Sequence, residues 1–543
     1  MTAPRALPQL TFMNEWFWKS GEDGLLRIQG CGDCGALVHP PAPVCHSCHS
    51  QHRTHVPVSG RATVVAFTVN HQPWHPAFTP PYVIANVVLA DDPTVHLTTN
   101  IVGCDPSDVH IGAEVEVQFA HVDDVWIPEF RLTGTTAPVD PVPLPTRPTI
   151  RPNASSDRFE DRVVISGIGR SEMGRRLMRD PLSLTVDACL AAVADAGLTL
   201  ADIDGISTYP GPVGWEIGFT EGGVSPLEEA LRIRPTWING AAETMGQGGA
   251  IITAMLAVAS GLCRHVLCYR TVFQSSSGLM GLGGGGGRAS GPQEWRAPYG
   301  LYSAANSVGM HATRYMQVYG ADREMLARVS LNARTNAGRN PIAIYRDPLT
   351  IDDYMNARLV STPLGLYDCD VPCDASIAVI VSAADVAPDL PKPAIRVEAV
   401  GTQIVERVSW DQDTITHMQQ AFGPGAHLWN RTDLRHDDID VALIYDGFTF
   451  NAITWIEALG FCGLGEAQDW LDGGRTIALD GTLPLNPHGG QLSEGRTHGF
   501  GFWYEAVTQL RGEATGRQVP GARTAVVTNG GVAPGGAAIL RLD

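Results

Sequence analysis

Charge is scarce in this chain, and positive charge scarcer still. Only 17% of its 543 residues are Asp, Glu, Lys or Arg, and 38 basic residues face 57 acidic ones, a formal net charge of −19. Such a surface repels phosphate backbones, which argues against nucleic acid as the main partner; a few local arginines still suffice to hold a small anion. Long apolar runs are missing too. The longest run of apolar and small residues, Ala250 to Cys263, is shorter than the roughly 20 residues a bilayer requires and reads as a buried helix. The start, MTAPRALPQLTFMNEW, lacks a basic n-region, an apolar h-region and a cleavage-like site, so no secretory signal is expected and the cytoplasm is the expected compartment. Cysteine is odd in number, eleven, which suits that compartment better than a disulfide framework.

What is present is material for large cores. Hydrophobic residues make up 44%, and the length exceeds what one core usually serves. Residues 1–52 hold an aromatic-rich amphipathic start (Phe12, Trp16, Phe17, Trp18) and a cysteine cluster. Over 53–135 five short alternating runs, among them ATVVAFTV, YVIANVVL and AEVEVQFAHV, are divided by Pro, Gly and Asp. That pattern predicts a small all-β barrel of OB type. Residues 136–158 are a proline-rich linker, since proline neither donates to a ladder nor continues a helix. From 159 to 543 strands alternate with helices, beginning with the strand VVISGIG at 163–169 and a helix over 183–198 that closes on Gly197. This alternation predicts an α/β fold. The glycine run 278–291, GLMGLGGGGGRASG, has no Lys-Ser/Thr after it and reads as a mobile loop rather than a phosphate loop.

Cys31, Cys34, Cys45 and Cys48 form C-x2-C-x10-C-x2-C. Two such pairs aim four thiolates at one ion and leave no position open, so the expected metal is structural Zn2+. His39, His46 and His49 are expected at the surface rather than on the metal. The stretch EWFWKSGEDGLLRIQGCGDCGALVHPPAPVCHSC with the runs that follow, residues 12 to 135, resembles the family that joins a rubredoxin-like zinc ribbon to an OB-fold. Members of that family accompany thiolase-like acyl-CoA enzymes, so the resemblance implies a docking or substrate-channel role here.

Three late segments, ALIYDGFTF (442–450), NPHGGQLSEGRTHGFG (486–501) and TNGGVAPGGAAILRL (528–542), resemble signature blocks of thiolases. The resemblance is closest to the sterol-carrier and lipid-transfer branch. It implies a five-layer αβαβα fold of two similar halves, a homodimer and a CoA thioester as substrate. Four positions depart from thiolase chemistry. Where the nucleophilic cysteine belongs, WINGAAETMGQGG offers Glu243 or Thr244, and Cys263 and Cys268 further on read as buried inert thiols. Tyr445 stands where thiolases have His or Asn. Arg496 takes the place of the histidine of the third block, with His498 two residues on; cysteine-free aldolases of this branch share GGQLSEG and the His-Gly, often with tyrosine at the Arg496 position. Asn529 replaces the second catalytic cysteine, while Gly530 and Gly531 keep room for backbone amides at a thioester oxygen.

An oxyanion cradle without covalent capture suits a retro-aldol cleavage of a β-hydroxyacyl-CoA, a steroid side chain or another branched or aromatic acyl group. The expected products are a ketone or aldehyde and a shortened acyl-CoA. Tyr445 and His498 are the expected proton carriers, Tyr367 a third candidate, and Arg496 the cation that favours a phenolate. Two other readings stay open: a thiolase-like acyltransferase or condensing enzyme, and a non-catalytic acyl-CoA or lipid carrier. A hydratase partner that supplies the β-hydroxy thioester would fit the first reading.

Overall fold

In the computed structural model, residues 5–211, 218–280, 288–530 and 534–543 are described. Three short strands, β1 (Arg27–Cys31), β2 (Leu37–Val38) and β3 (Arg53–Pro57), form the antiparallel ribbon that carries the cysteines. Next come β4 (Arg61–Asn70), β5 (Tyr82–Leu89), β6 (His96–Ile101), β7 (Ala113–Val122) and β8 (Val125–Thr136). They pair in the order β4-β5-β6-β8-β7, and β7 returns to β4. The single parallel contact, Ile101 against Phe130, lies between β6 and β8. This is a closed five-stranded OB barrel, and its alternating side chains fill a core around Val64, Ala85, Leu97, Val115 and Phe130.

The α/β part repeats one motif twice. Its first half holds β9 (Val163–Arg170), β10 (Gly205–Thr208), β11 (Trp237–Gly240) and β12 (His265–Phe273); after an excursion that contributes the hairpin β13 (Leu359–Ser361) and β14 (Leu364–Gly365), it ends in β15 (Asp374–Ala383). The second half holds β16 (Ile395–Gly401), β17 (Val441–Leu443), β18 (Thr524–Asn529) and β19 (Gly536–Arg541). The sheet order is β11-β10-β12-β15-β9-β16-β19-β18-β17. Read outward from the β9–β16 seam, each half runs first, fifth, fourth, second strand with the same parallel and antiparallel pairings. In the second half the third strand shrinks to one parallel bridge, Ala442 to Leu485. Helices Gly249–Ala259 and Phe500–Leu510 occupy equivalent places, and the latter touches both β15 and β18. They form the central layer, with Pro181–Asp195 and Phe422–Trp429 outside, which gives the αβαβα sandwich.

Local sequence explains the helix ends. Asp180 caps Pro181–Asp195 by accepting from the Ser183 amide, proline fills the first turn, and Gly197 follows at φ +69°. The expected strand at 163–169 and helix at 183–198 both form, the latter shifted by two to three residues. The helix expected from Ala250 to Cys263 ends at Ala259.

Barrel and α/β part are tied together through buried polar groups. The hairpin β13–β14 extends the barrel sheet at Ser361 and Asn70. Thr68 Oγ1 meets Ser361 Oγ at 2.8 Å, and Asn306 Nδ2 donates to Asn70 Oδ1 at 3.0 Å. Asp411 accepts from Asn86 on its carbonyl and from Thr98 on its carboxylate, each at 2.9 Å. Trp18 of the N-terminal segment stacks on Trp295 at 5.1 Å. The proline-rich segment lies along this junction: Asp140 pairs with the buried Arg314, and residues 141–149 line a cleft of about 1070 Å³ between ribbon, barrel and the 405–414 loop. One expectation fails here. His39 is buried between Phe17 and Trp295, and burial pulls its imidazole down to about 4; the aromatic packing where the ribbon meets its neighbours claims it, while His46 and His49 are exposed as expected. Among the described residues no helix is long and apolar enough to cross a membrane. Of the glycine run, residues 281–287 lie outside the described residues.

Candidate active site and metal centre

The four ribbon sulfurs lie within 4.8 Å of one another, with Cys31 and Cys48 Sγ at 3.5 Å and Cys34 and Cys45 Sγ at 3.6 Å. Ligands about 2.3 Å from a tetrahedral ion sit just under 4 Å apart, so the set fits zinc. Each pair sits on the same turn: Gly35 N–H donates to Cys31 O and His49 N–H to Cys45 O, both at 2.9 Å, with Gly35 and His49 left-handed at φ +77° and +59°. The Cys34 and Asp33 amides pull the Cys31 thiol down to about 6.

The second site lies where β12, β17 and β18 end. Tyr445, two residues past β17, donates its N–H to Thr528 Oγ1 of β18 at 2.8 Å. Asn486 holds the same turn: its Oδ1 accepts from Ile444 N–H at 2.9 Å and its Nδ2 donates to Ile444 O at 2.8 Å. Gln491 is the hub. Its N–H donates to Asp446 Oδ1 at 2.8 Å, its Oε1 accepts from His498 N–H at 3.0 Å, and its side chain adjoins the Tyr445 phenol. The 369–374 segment closes the ring: Asp370 N–H donates to Gly447 O at 3.1 Å, Val371 N–H to Gln491 O at 2.9 Å, and Arg496 N–H to Val371 O at 2.8 Å.

Four of the predicted residues therefore meet. Tyr445 is buried, and Arg496 is ion-paired to Asp370 and bonded to Gln274. His498, at φ +47°, stacks on Phe219 at 4.6 Å, and its Nδ1 accepts from Arg270 Nη2 at 2.6 Å. Asn529 is fully buried, with its Oδ1 accepting from Trp503 Nε1 at 3.2 Å. Its side chain is boxed in by glycines: a Cβ on Gly246 or Gly499 would come within 2.8 Å of it, and one on Gly248 would overlap its amide. Those glycines adjoin the starts of helices Gly249–Ala259 and Phe500–Leu510, where amide dipoles converge. Gly530, at φ +78°, follows with its carbonyl accepting from Trp455 Nε1 at 2.8 Å; Gly531 lies outside the described residues.

Tyr367 is not part of this group. Its ring lies over Arg334 at 5.4 Å, in a cluster that also holds Tyr345. Glu243 is exposed, and Thr244 bonds the Gly246 carbonyl. Cys263 lies at the far end of β12 beside Asp204, with burial pushing it up to about 11, and Cys268 is buried within the strand. The thiols nearest the site are two that sequence reading passed over. Cys373 Sγ donates to Arg496 O at 3.4 Å and Cys369 Sγ to Gly365 O at 3.5 Å; burial raises both far above the thiol range, the opposite of what a nucleophile needs.

Electrostatics follow from burial. Burial, then the Asp370 charge, hold Tyr445 well above the ordinary phenol range, against Gln491, Arg496 and Arg270. Asp446 is pushed up to about 8, again by burial, despite its bonds from Gln491 and Asn486. His498 is driven well below the usual imidazole value by burial and by Arg270 and Arg496. Arg270, Asp370, Asp446 and Gln491 were missed from sequence as site residues. Only Arg270 carried a signal, a charge in the middle of the buried strand HVLCYRTVF.

Fold and site define a thiolase-like enzyme that has no thiolate nucleophile among the described residues. Comparison with known proteins agrees. Residues 402–540 match the family "Thiolase C-terminal domain-like", 55–120 match "ChsH2, C-terminal OB-fold domain", and 18–53 match "ChsH2, rubredoxin-like zinc ribbon domain". The chain is 36% identical to the steroid side-chain-cleaving aldolase of Thermomonospora curvata over 393 residues, 70% of this chain and 98% of that one. It is 33% identical to the 17-hydroxy-3-oxo-4-pregnene-20-carboxyl-CoA lyase of Mycobacterium tuberculosis, over 70% and 99%. Among solved structures, an Ltp2-ChsH2(DUF35) aldolase superposes with TM-score 0.62 at 32% identity, over 70% of this chain and 98% of that one. The chain belongs to the cysteine-free acyl-CoA aldolase branch of the thiolase superfamily, carbon–carbon lyases of the sterol-carrier type, with a ChsH2-like zinc ribbon and OB-fold fused in front.

Proposed function

We propose that this protein cleaves the Cα–Cβ bond of a β-hydroxyacyl-CoA bearing a steroid side chain or a comparably branched or aromatic acyl group. The observation that carries this reading is the convergence of Tyr445, Arg496, His498 and Asn529 around Gln491, with every nearby thiol held protonated. The Tyr445 phenolate, favoured by Arg496, takes the β-hydroxyl proton. The Cα–Cβ pair then collapses onto the thioester as an enolate while the former β-carbon becomes a ketone or aldehyde. Tyr445 returns its proton to Cα, which releases the shortened acyl-CoA. Through the enolate stage the oxygen is met by His498 and by backbone at the glycines around Asn529. Nothing in this cycle needs an acyl-enzyme. Arg170 and Arg175, which line a cavity of about 520 Å³ beside Gly495, are the groups we assign to the anionic end of CoA.

Because burial keeps the phenol protonated, the reactive phenolate grows about tenfold per pH unit. Turnover of a β-hydroxyacyl-CoA panel, read as ketone or aldehyde plus shortened CoA ester, is expected to rise steadily from pH 7 to 9. Tyr445→Phe is expected to lower it by about 10²–10⁴-fold. Unchanged cleavage in that variant, or an acyl adduct in the intact mass, would overturn the assignment in favour of an acyltransferase.

Three further parts complete the proposal. The protein works in the cytoplasm. A hydratase partner supplies the β-hydroxy thioester by way of the ribbon and barrel. Two copies form a homodimer across β11, an edge strand on which Ile238 is 51% exposed. Ile238→Glu is expected to turn a dimer into a monomer in sedimentation; a wild-type monomer rules that interface out.

A further inference from the structure

His498 meets an arginine through one ring nitrogen, and arginine has donors only. Arg270 Nη2 approaches His498 Nδ1 at 2.6 Å, so in the neutral ring Nδ1 is the acceptor and the proton belongs on Nε2. Arg270 is itself held rigidly. It is 1% exposed in the middle of β12, its Nη1 donates to the Tyr209 carbonyl, and its guanidinium lies 5.3 Å from the Tyr209 ring and 5.9 Å from that of Phe219. Phe219 in turn stacks on the imidazole at 12° between planes, and Gln491 Oε1 fixes the His498 backbone N–H. Strand, stacking ring and backbone bond together leave the imidazole one orientation.

We propose that Arg270 is a positioning residue that locks His498 as the Nε2–H tautomer, so that His498 meets the substrate as a hydrogen-bond donor to the thioester oxygen and not as a base. This rests on the aldolase reading above and divides its labour: Tyr445 moves the proton, and His498 stabilises the enolate. The neighbouring chain supports the assignment. Gly499, next to His498, abuts Asn529 within the glycine box where a thioester oxygen would lie. A second guanidinium, Arg496, adds its charge against protonation of the ring.

The test uses the zinc-loaded full chain labelled with nitrogen-15 histidine, the His498 ring being assigned among 17 histidines by difference from His498→Gln. In the wild type, Nδ1 is expected to resonate as an unprotonated nitrogen and Nε2 as a protonated one. A protonated Nδ1 would overturn the proposal whether or not any acyl-CoA is cleaved, which separates its failure from that of the aldolase reading. Arg270→Met is expected to release the tautomer and lower kcat by about 10²-fold with little change in KM, and Arg270→Lys, which keeps a donor, to recover part of both. If Arg270→Met does not fold, His498 variants decide the role. Glutamine places an N–H near the Nε2 position, so His498→Gln is expected to retain at least about tenfold more kcat than His498→Ala. Equal losses in the two variants would make His498 a proton carrier and refute the donor role.

Discussion

Gly490 has space for a hydrogen and nothing more. A Cβ there would overlap Asp446 Oδ2, and its φ of +58° disfavours other residues independently. Asp446 orients Gln491, and Gln491 holds His498 and adjoins Tyr445, so a methyl at position 490 displaces the hub of the site. Gly490→Ala is expected to cost about 2–3 kcal/mol of stability and to abolish cleavage with zinc content intact; metal analysis alongside turnover checks it. At this scale the sequence was only partly legible. Tyr445, Arg496 and Asn529 stood out because they occupy positions where thiolases carry their chemistry, and His498 because it matches the His-Gly of the cysteine-free branch. Gln491, inside the late segment 486–501, and Asp370, outside all three late segments, had no spacing that marks them, since their roles arise from backbone pairing between segments far apart in the chain. Tyr367 shows the converse: expected as a third candidate, it has the Arg334 guanidinium over its ring and lies outside the group.

Among the elements, the ribbon depends most on something other than packing. β1, β2 and β3 together span twelve residues, and Cys34 and Cys48 are exposed, so the three strands enclose little core of their own. Four thiolates around zinc supply what the core lacks. Chelation, or Cys45→Ser, is expected to unfold the ribbon and release the stacking of Trp18 on Trp295, read as a change in tryptophan fluorescence, while far-ultraviolet dichroism of the α/β part changes little. Retention of one zinc per chain in Cys45→Ser would refute this. Elements with local signals were readable in advance: the C-x2-C turns, the alternating barrel strands, the helix that closes on Gly197. The hairpin β13–β14 was not, because its partner is β4 nearly three hundred residues earlier and two short strands carry no period of their own. For the same reason the proline-rich segment read as a spacer, whereas Asp140 pairs with the buried Arg314, Val142 is buried, and the largely exposed stretch after it lines the cleft at the junction.

The whole molecule carries its site at the meeting of two pseudo-equivalent halves, and the stability of that meeting is open to titration. An unfolded aspartate titrates near 3.9, whereas burial raises Asp446 to about 8 in the folded protein. Between those values the unfolded chain has lost a proton that the folded chain retains. Unfolding then releases a proton, and stability falls as pH rises, by at most about 1.4 kcal/mol per unit from this group. Above about 8 both states are ionised and its contribution levels off. Asp446→Asn removes the titration but sets an amide against the Asn486 Nδ2 that now donates to Oδ2, a cost present at every pH. The difference in unfolding free energy between the two proteins is therefore expected to shift steadily in favour of the variant from pH 5 to 8 and to stay constant from 8 to 9.5. Denaturant unfolding across that range measures it. A difference independent of pH would place Asp446 in the folded protein as an ordinary carboxylate, and the burial that sets it apart from an exposed aspartate would then carry no titration.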